Sequence, residues 1–329
     1  MSAQRTQTTS PITSPSSVLD VLTDSINVVL ANMWVLIIPL VLDAAYVVGR
    51  QINVAPALDS TIDRLDQATF TGSERLASIV DTIAGVDLTA MFAMVLPTMF
   101  GGADSDGTYD PVVSDTVVIG SPMVAALAVA VIFVLTALIY GLFGLWLADV
   151  GLNRNRSWSE RFRSLPATSV RIAGVFALGI GVVLILAMPL LLAWGATSVA
   201  GLDLQSLFVP VIVIMATCVL VLFYFAPEAV FVAGASPARA LRLSARVVRG
   251  NGWTTLGFIG ATTLISWGLS DLWARLASNA PGLLLAMAGS ALAGSALALA
   301  GMKFFNERLL SLEHDEDGRS GAHGAATAA

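Results

Sequence analysis

Charge is what this sequence has least of. Asp, Glu, Lys and Arg make up 12% of its 329 residues, against about a quarter in an ordinary soluble chain. Other absences narrow the chemistry. Cysteine occurs once, at Cys218, so no intrachain disulfide exists. The two histidines, His314 and His323, both lie in the C-terminal tail, which excludes a His-based zinc site or a Ser–His pair in the apolar part of the chain. No phosphate-binding P-loop and no dinucleotide fingerprint is present, so neither a cofactor nor a metal is expected. A net charge of −6 gives no reason to expect a nucleic-acid partner.

What remains is apolar, and it comes in long runs. Residues 122–148, 172–202, 204–227, 250–270 and 276–302 contain no Asp, Glu, Lys or Arg, and 25–42 forms a sixth such run. About 20 apolar residues suffice to cross the ~30 Å hydrocarbon layer as a helix. Lipid offers backbone groups no partner, so only helices or a closed barrel span it. Barrel strands are alternating segments of about ten residues, far shorter than these runs. The sequence therefore predicts an all-α polytopic bundle with six transmembrane helices, over 33–49, 123–149, 171–196, 207–232, 253–272 and 282–304.

The few cations are unevenly placed. With that topology, thirteen of the seventeen Arg and Lys residues fall on one side and only Arg50, Arg64, Arg75 and Arg275 on the other. The positive-inside rule then predicts that both termini are cytoplasmic, in the inner membrane of a bacterium. Residues 1–16 and 313–329 read as disordered flanks of a membrane domain over 17–312. Within that domain, 50–121 is a long acidic outer loop, and its apolar stretch 88–100 is too short to span and reads as re-entrant.

Spacing reveals an internal repeat. Asp149, Glu228 and Glu307 each close an apolar run, and successive members are 79 residues apart (228 − 149 and 307 − 228). Ser17, Ser157 and Ser236 stand at matching places. Ser25-x-x-Val28-Val29-x-Ala31-Asn32-x-Trp34 parallels Ser244-x-x-Val247-Val248-x-Gly250-Asn251-x-Trp253. The unit implied is an interfacial helix followed by a helical hairpin, three times over. In the third copy Arg239, Arg242, Arg246 and Arg249 form one stripe opposite Leu241, Ala245 and Val248, the pattern of a helix lying in the headgroup plane. In the second, the helix is expected to end at Pro166.

Several side chains stand out as candidates. Asp43 reads either as a mid-bilayer carboxylate, functional by default, or as an outer-interface residue near Arg50. Asp149, Glu228 and Glu307 read as an acidic ring at an inner mouth or as locks pairing with neighbouring arginines. Arg239, Arg242, Arg246, Arg249, Arg161 and Arg163 are candidate contacts to anionic lipid, and Trp34 and Trp253 candidate interface anchors.

One stretch carries a family likeness. Phe225-Ala226-Pro227-Glu228-Ala229-Val230, then Ser236-Pro237-x-x-Ala240-Leu241, then Arg249-Gly250-Asn251-x-Trp253, resembles a group of bacterial multi-span proteins related to the membrane domain fused to some glycerophosphodiester phosphodiesterases. The resemblance implies a six-span helical membrane domain and no phosphodiesterase activity, since no soluble catalytic domain is present. The expected function is a non-enzymatic module that binds lipid or a membrane or extracytoplasmic protein. The alternative is a transporter or permease with Asp43 on the solute path.

Overall fold

Long charge-free runs become long helices. The computed structural model describes residues 16–48, 51–59, 116–199 and 205–326. In chain order these form α1 (Val18–Ala31), a 3-10 turn (Met33–Leu36), α2 (Ile37–Val48), β1 (Gln51–Asn53), β2 (Thr116–Val118), α3 (Pro122–Gly151), α4 (Trp158–Val199), α5 (Gln205–Leu222), α6 (Ala226–Ala233), α7 (Pro237–Gly250), α8 (Gly252–Leu276) and α9 (Ala280–Ala326). The short strands pair in parallel, Ile52 opposite Val117, and tie together the two ends of the acidic loop. The stretch 88–100 and most of that loop lie outside the described residues.

Among the described residues, four helical segments are long and apolar enough to cross a membrane: Pro122–Gly151, Trp158–Thr197, Ser206–Ala233 and Ala280–His314. A fifth arises if α1 and the segment Met33–Val47, bent by 89° at Asn32, count as one. Six were expected, and four or five of them meet that criterion of length and hydropathy. The helix expected over 253–272 forms as α8, but Thr254, Thr255, Thr262, Thr263, Ser266 and Ser270 hold its hydropathy below that of the other four.

α9 is the hub. It packs against α1, α2, α3, α6, α7 and α8, and 44% of its apolar window is buried, against 6% for Ser206–Ala233. The remaining apolar surface, including Leu127, Leu184, Ile185, Ile214 and Leu264, faces outward and would aggregate in water. The core gathers at one end, where Phe225, Phe258, Phe304 and Phe305 are fully enclosed with Leu147, Val29 and Leu299.

Three local differences from the sequence reading have physical causes. α4 does not end at Pro166 but runs unbroken through both Pro166 and Pro189. A proline inside a helix frees the carbonyl four residues earlier. At Pro166 that carbonyl belongs to Phe162, in the first two turns of α4. The second difference is the backbone beyond Glu313, which continues helical to Ala326 where a disordered tail was expected. The third concerns α7, whose apolar face (Ala240, Leu241, Ser244, Val247, Val248) is buried against protein and not in the acyl layer.

The similarity between the first and third motif copies reaches the dihedral angles. Ser17 has φ −67°, ψ 157° and Ser236 φ −68°, ψ 158°, each before a 14-residue helix. Asn32 and Asn251 close those helices at φ −130° with ψ 49° and 38°. The caps differ: Ser17 and Asp20 form a reciprocal capping box, whereas Ser236 makes no side-chain bond and is followed by proline at the first helical position.

Close helix approach depends on several glycines, Gly144 and Gly151 among them. A Cβ at Gly144 would run into the Phe231 ring, whereas one at Gly257 on α8 would meet nothing within 4 Å. Gly144→Ala is expected to cost about 1–3 kcal/mol through overpacking. Gly257→Ala should be neutral or stabilising by up to about 1 kcal/mol. Unfolding of both variants in detergent checks the contrast.

Candidate functional site

The cations and the ends of the apolar helices meet at one end of the bundle. Arg154 and Arg171 reach across from the α3–α4 region to the C-terminus of α6. Arg154 donates to the carbonyls of Phe231 (3.2 Å) and Val232 (2.7 Å), and Arg171 donates to Gly234 O (2.9 Å). Gly234, at φ 59°, ends α6 in the left-handed region that glycine tolerates, and its N–H bonds Val230 O. Helix C-termini carry unpaired carbonyls and partial negative charge, so guanidinium groups settle there.

Around this contact lies a cavity of about 550 Å³. Arg154, Arg156 and Arg171 line it with Ser164, Thr168 and Glu160, and Val230 to Gly234 form the far wall. Burial lowers the pKa of Arg154, as does the neighbouring Arg156 guanidinium, while Asp149 acts in the opposite sense. Three guanidinium groups, two hydroxyls and the Glu160 carboxylate surround this space, and guanidinium groups are the side chains that pair with phosphates and other oxyanions.

The repeated carboxylates occupy three different environments. Asp149 is buried and accepts from Arg161 Nε at 2.8 Å, with Arg156 Nε 3.6 Å from its other oxygen. Arg161 also lies over the Trp158 ring, 5.4 Å from its centroid. Glu307 accepts from the Ser16 hydroxyl at 3.2 Å, and the adjacent Arg308 donates to Ser16 O. Glu228 has no arginine partner among the described residues. It turns toward α9, where a Cβ at Gly301 would stand 3.2 Å from its Oε1.

The remaining candidates are scattered. Asp43 is fully buried on α2, and it lines neither of the two cavities described here. Arg239, Arg242 and Arg249 are exposed on α7, Arg246 is half-buried, and Arg163 is exposed on α4. Lys303 pairs with Asp24 of α1. Trp34 is not an isolated anchor: its ring meets Trp146 edge-on at 5.0 Å, and Trp146 meets Trp158 at 5.2 Å. Trp253 is 89% exposed. The sequence reading missed Arg154, Arg156 and Arg171 as a group. Their clustering depends on a contact between residues 63 to 78 positions apart, for which no local pattern gives a signal.

Long apolar helices with bare flanks, and cations gathered at one end, define a helical integral membrane protein that crosses the bilayer several times. The chain belongs to the family described as a domain of unknown function, DUF7847, whose model matches residues 106–304. That stretch includes every residue lining the arginine cavity and excludes α1, α2 and Asp43. No curated protein and no solved structure matches the chain.

Proposed function

We propose that this protein is a non-catalytic membrane module that holds anionic lipid headgroups at its basic end. In this reading the basic end faces the cytoplasm of a bacterium and the chain is a threefold repeat of interfacial helix and hairpin. The acidic loop then lies outside, where it is free to meet an extracytoplasmic partner. The observation that carries the proposal is the cavity shared by Arg154, Arg156 and Arg171. The exposed cations of α7 extend the same positive field along the headgroup layer. The narrower likeness to the membrane domain fused to phosphodiesterases belongs to this proposal and brings no hydrolytic role with it. The transport alternative gains no support from Asp43, which is enclosed and outside both cavities.

Arg156 is the test residue, because it is partly exposed and its contact to Asp149 is long at 3.6 Å. Short-chain phosphatidylglycerol added to the detergent-solubilised chain should raise its unfolding temperature in a saturable way, and phosphatidylcholine should not. Arg156→Gln should weaken the response about tenfold, the loss of one charge-assisted bond. Equal responses to both lipids, or an unchanged response in the variant, would overturn the reading. Inorganic phosphate, run in parallel, separates headgroup recognition from recognition of the free anion.

A further inference from the structure

A second cavity, distinct from the arginine site, lies among the turn between α5 and α6, helix α8 and helix α9. It measures about 240 Å³, and its polar lining is Glu228, Tyr224, Thr262, Thr263 and Ser266, with Trp267 at its edge. Nothing basic lines it. Oε2 of Glu228 is enclosed and no hydrogen bond reaches it, although the residue as a whole keeps part of its surface in the cavity. An enclosed carboxylate oxygen with no cation in the lining of its cavity is costly, and a bound charge of the opposite sign would offset that cost.

The hydroxyls are set to accept. Thr262 Oγ1 lies 3.0 Å from both Phe258 O and Ile259 O, so its proton is directed to the backbone of its own helix. The Tyr224 hydroxyl is 3.2 Å from that oxygen, and with the threonine proton already used it is the tyrosine that donates. Both oxygens then keep lone pairs, and Glu228 adds two more oxygens with negative charge. Gly301 completes the arrangement by letting α9 approach to within 3.2 Å of Oε1 for a built Cβ, a distance at which any larger side chain would press on the carboxylate.

The geometry points to a binding site for a small monovalent cation, held by the Glu228 carboxylate and the hydroxyl oxygens of Tyr224 and Thr262. Oxygen ligands of this kind suit a hard alkali ion with part of its water shell, and equally a small primary ammonium group. A divalent transition metal is disfavoured, since among the described residues no cluster of three His, Cys, Asp or Glu side chains exists. This inference does not rest on the lipid-binding proposal, whose residues lie in the other cavity.

Titration calorimetry on the full chain in detergent tests it, with sodium chloride, potassium chloride and methylammonium chloride as separate probes. N-methyl-D-glucamine chloride holds the ionic strength constant. At least one probe should give a saturable isotherm, and which of the three binds distinguishes an alkali-ion site from an ammonium site. Glu228→Gln should weaken binding by about tenfold or more, the loss expected when an ionised ligand becomes neutral. Thr262→Val, which leaves the carboxylate in place, should weaken it less, and Gly301→Ala should weaken it by crowding Oε1. If Glu228→Gln fails to fold, the other two variants carry the test. Absence of saturable binding by all three probes, or binding unchanged in the variants that fold, would overturn the assignment.

Discussion

Asp149→Ala is expected to lower the unfolding free energy of the detergent-solubilised protein by about 3 kcal/mol, within the range seen when one member of a buried ion pair is removed. Asp149 is buried at the end of α3, and the side chain of its partner Arg161 is only 13% exposed. Removing the carboxylate leaves that guanidinium in a confined space, over the Trp158 ring but without its counter-charge. The cost therefore comes mainly from the stranded charge and not from the lost attraction. A double variant, Asp149→Leu with Arg161→Leu, should recover much of the loss, because no uncompensated ion remains. Denaturant unfolding of the two variants checks this. A loss below about 0.5 kcal/mol for Asp149→Ala would mean that the pair behaves as an exposed one.

The second large effect is in the aromatic cluster. Phe258→Ala should cost about 3–5 kcal/mol, the usual cost of truncating an enclosed phenylalanine. Its ring stacks on Phe304 at 4.5 Å and lies 5.9 Å from Phe225, which in turn lies 5.5 Å from Phe304. All three are fully buried. Lipid tails are as apolar as the cluster, so the loss is one of packing contacts and cavity formation and not of transfer from water. Leu264→Ala, two turns further along the same helix and 72% exposed, is the control. It should change stability by less than about 1 kcal/mol, because lipid replaces what is removed. Equal losses in the two variants would show that this end of the bundle is not packed as described.

The sequence makes some of this legible and hides the rest for identifiable reasons. Charge-free runs reveal helices because lipid leaves the backbone no other solution, and α3, α5 and α9 begin within a few residues of where those runs predict. The Ser17 and Ser236 starts and the Asn32 and Asn251 ends are legible too, since capping is governed by nearest neighbours. Pro166 misleads because an internal proline weakens a helix without always ending it, as Pro189 in the same helix also shows. The face a residue presents is harder still. Asp149 and Glu228 each close an apolar run in the sequence, yet one meets Arg161 and the other meets Gly301 and a cavity. What separates them is the packing of α9 against α6, which periodicity along a single helix does not encode. The same holds for Arg154 and Arg171, whose role at the end of α6 depends on contacts across the bundle.

The most direct test is a sidedness map of the chain in sealed membrane vesicles. Cys218→Ser removes the native thiol, and Ser157→Cys, Ser236→Cys and Ser278→Cys are then introduced singly at exposed positions. With a membrane-impermeant thiol reagent, the first two should label from the same face and the third from the opposite face. The basic end would then be one surface, reached by α4 and α7 together. Labelling of Ser157→Cys and Ser236→Cys from opposite faces, or recovery of the chain in the aqueous fraction without detergent, would contradict the account.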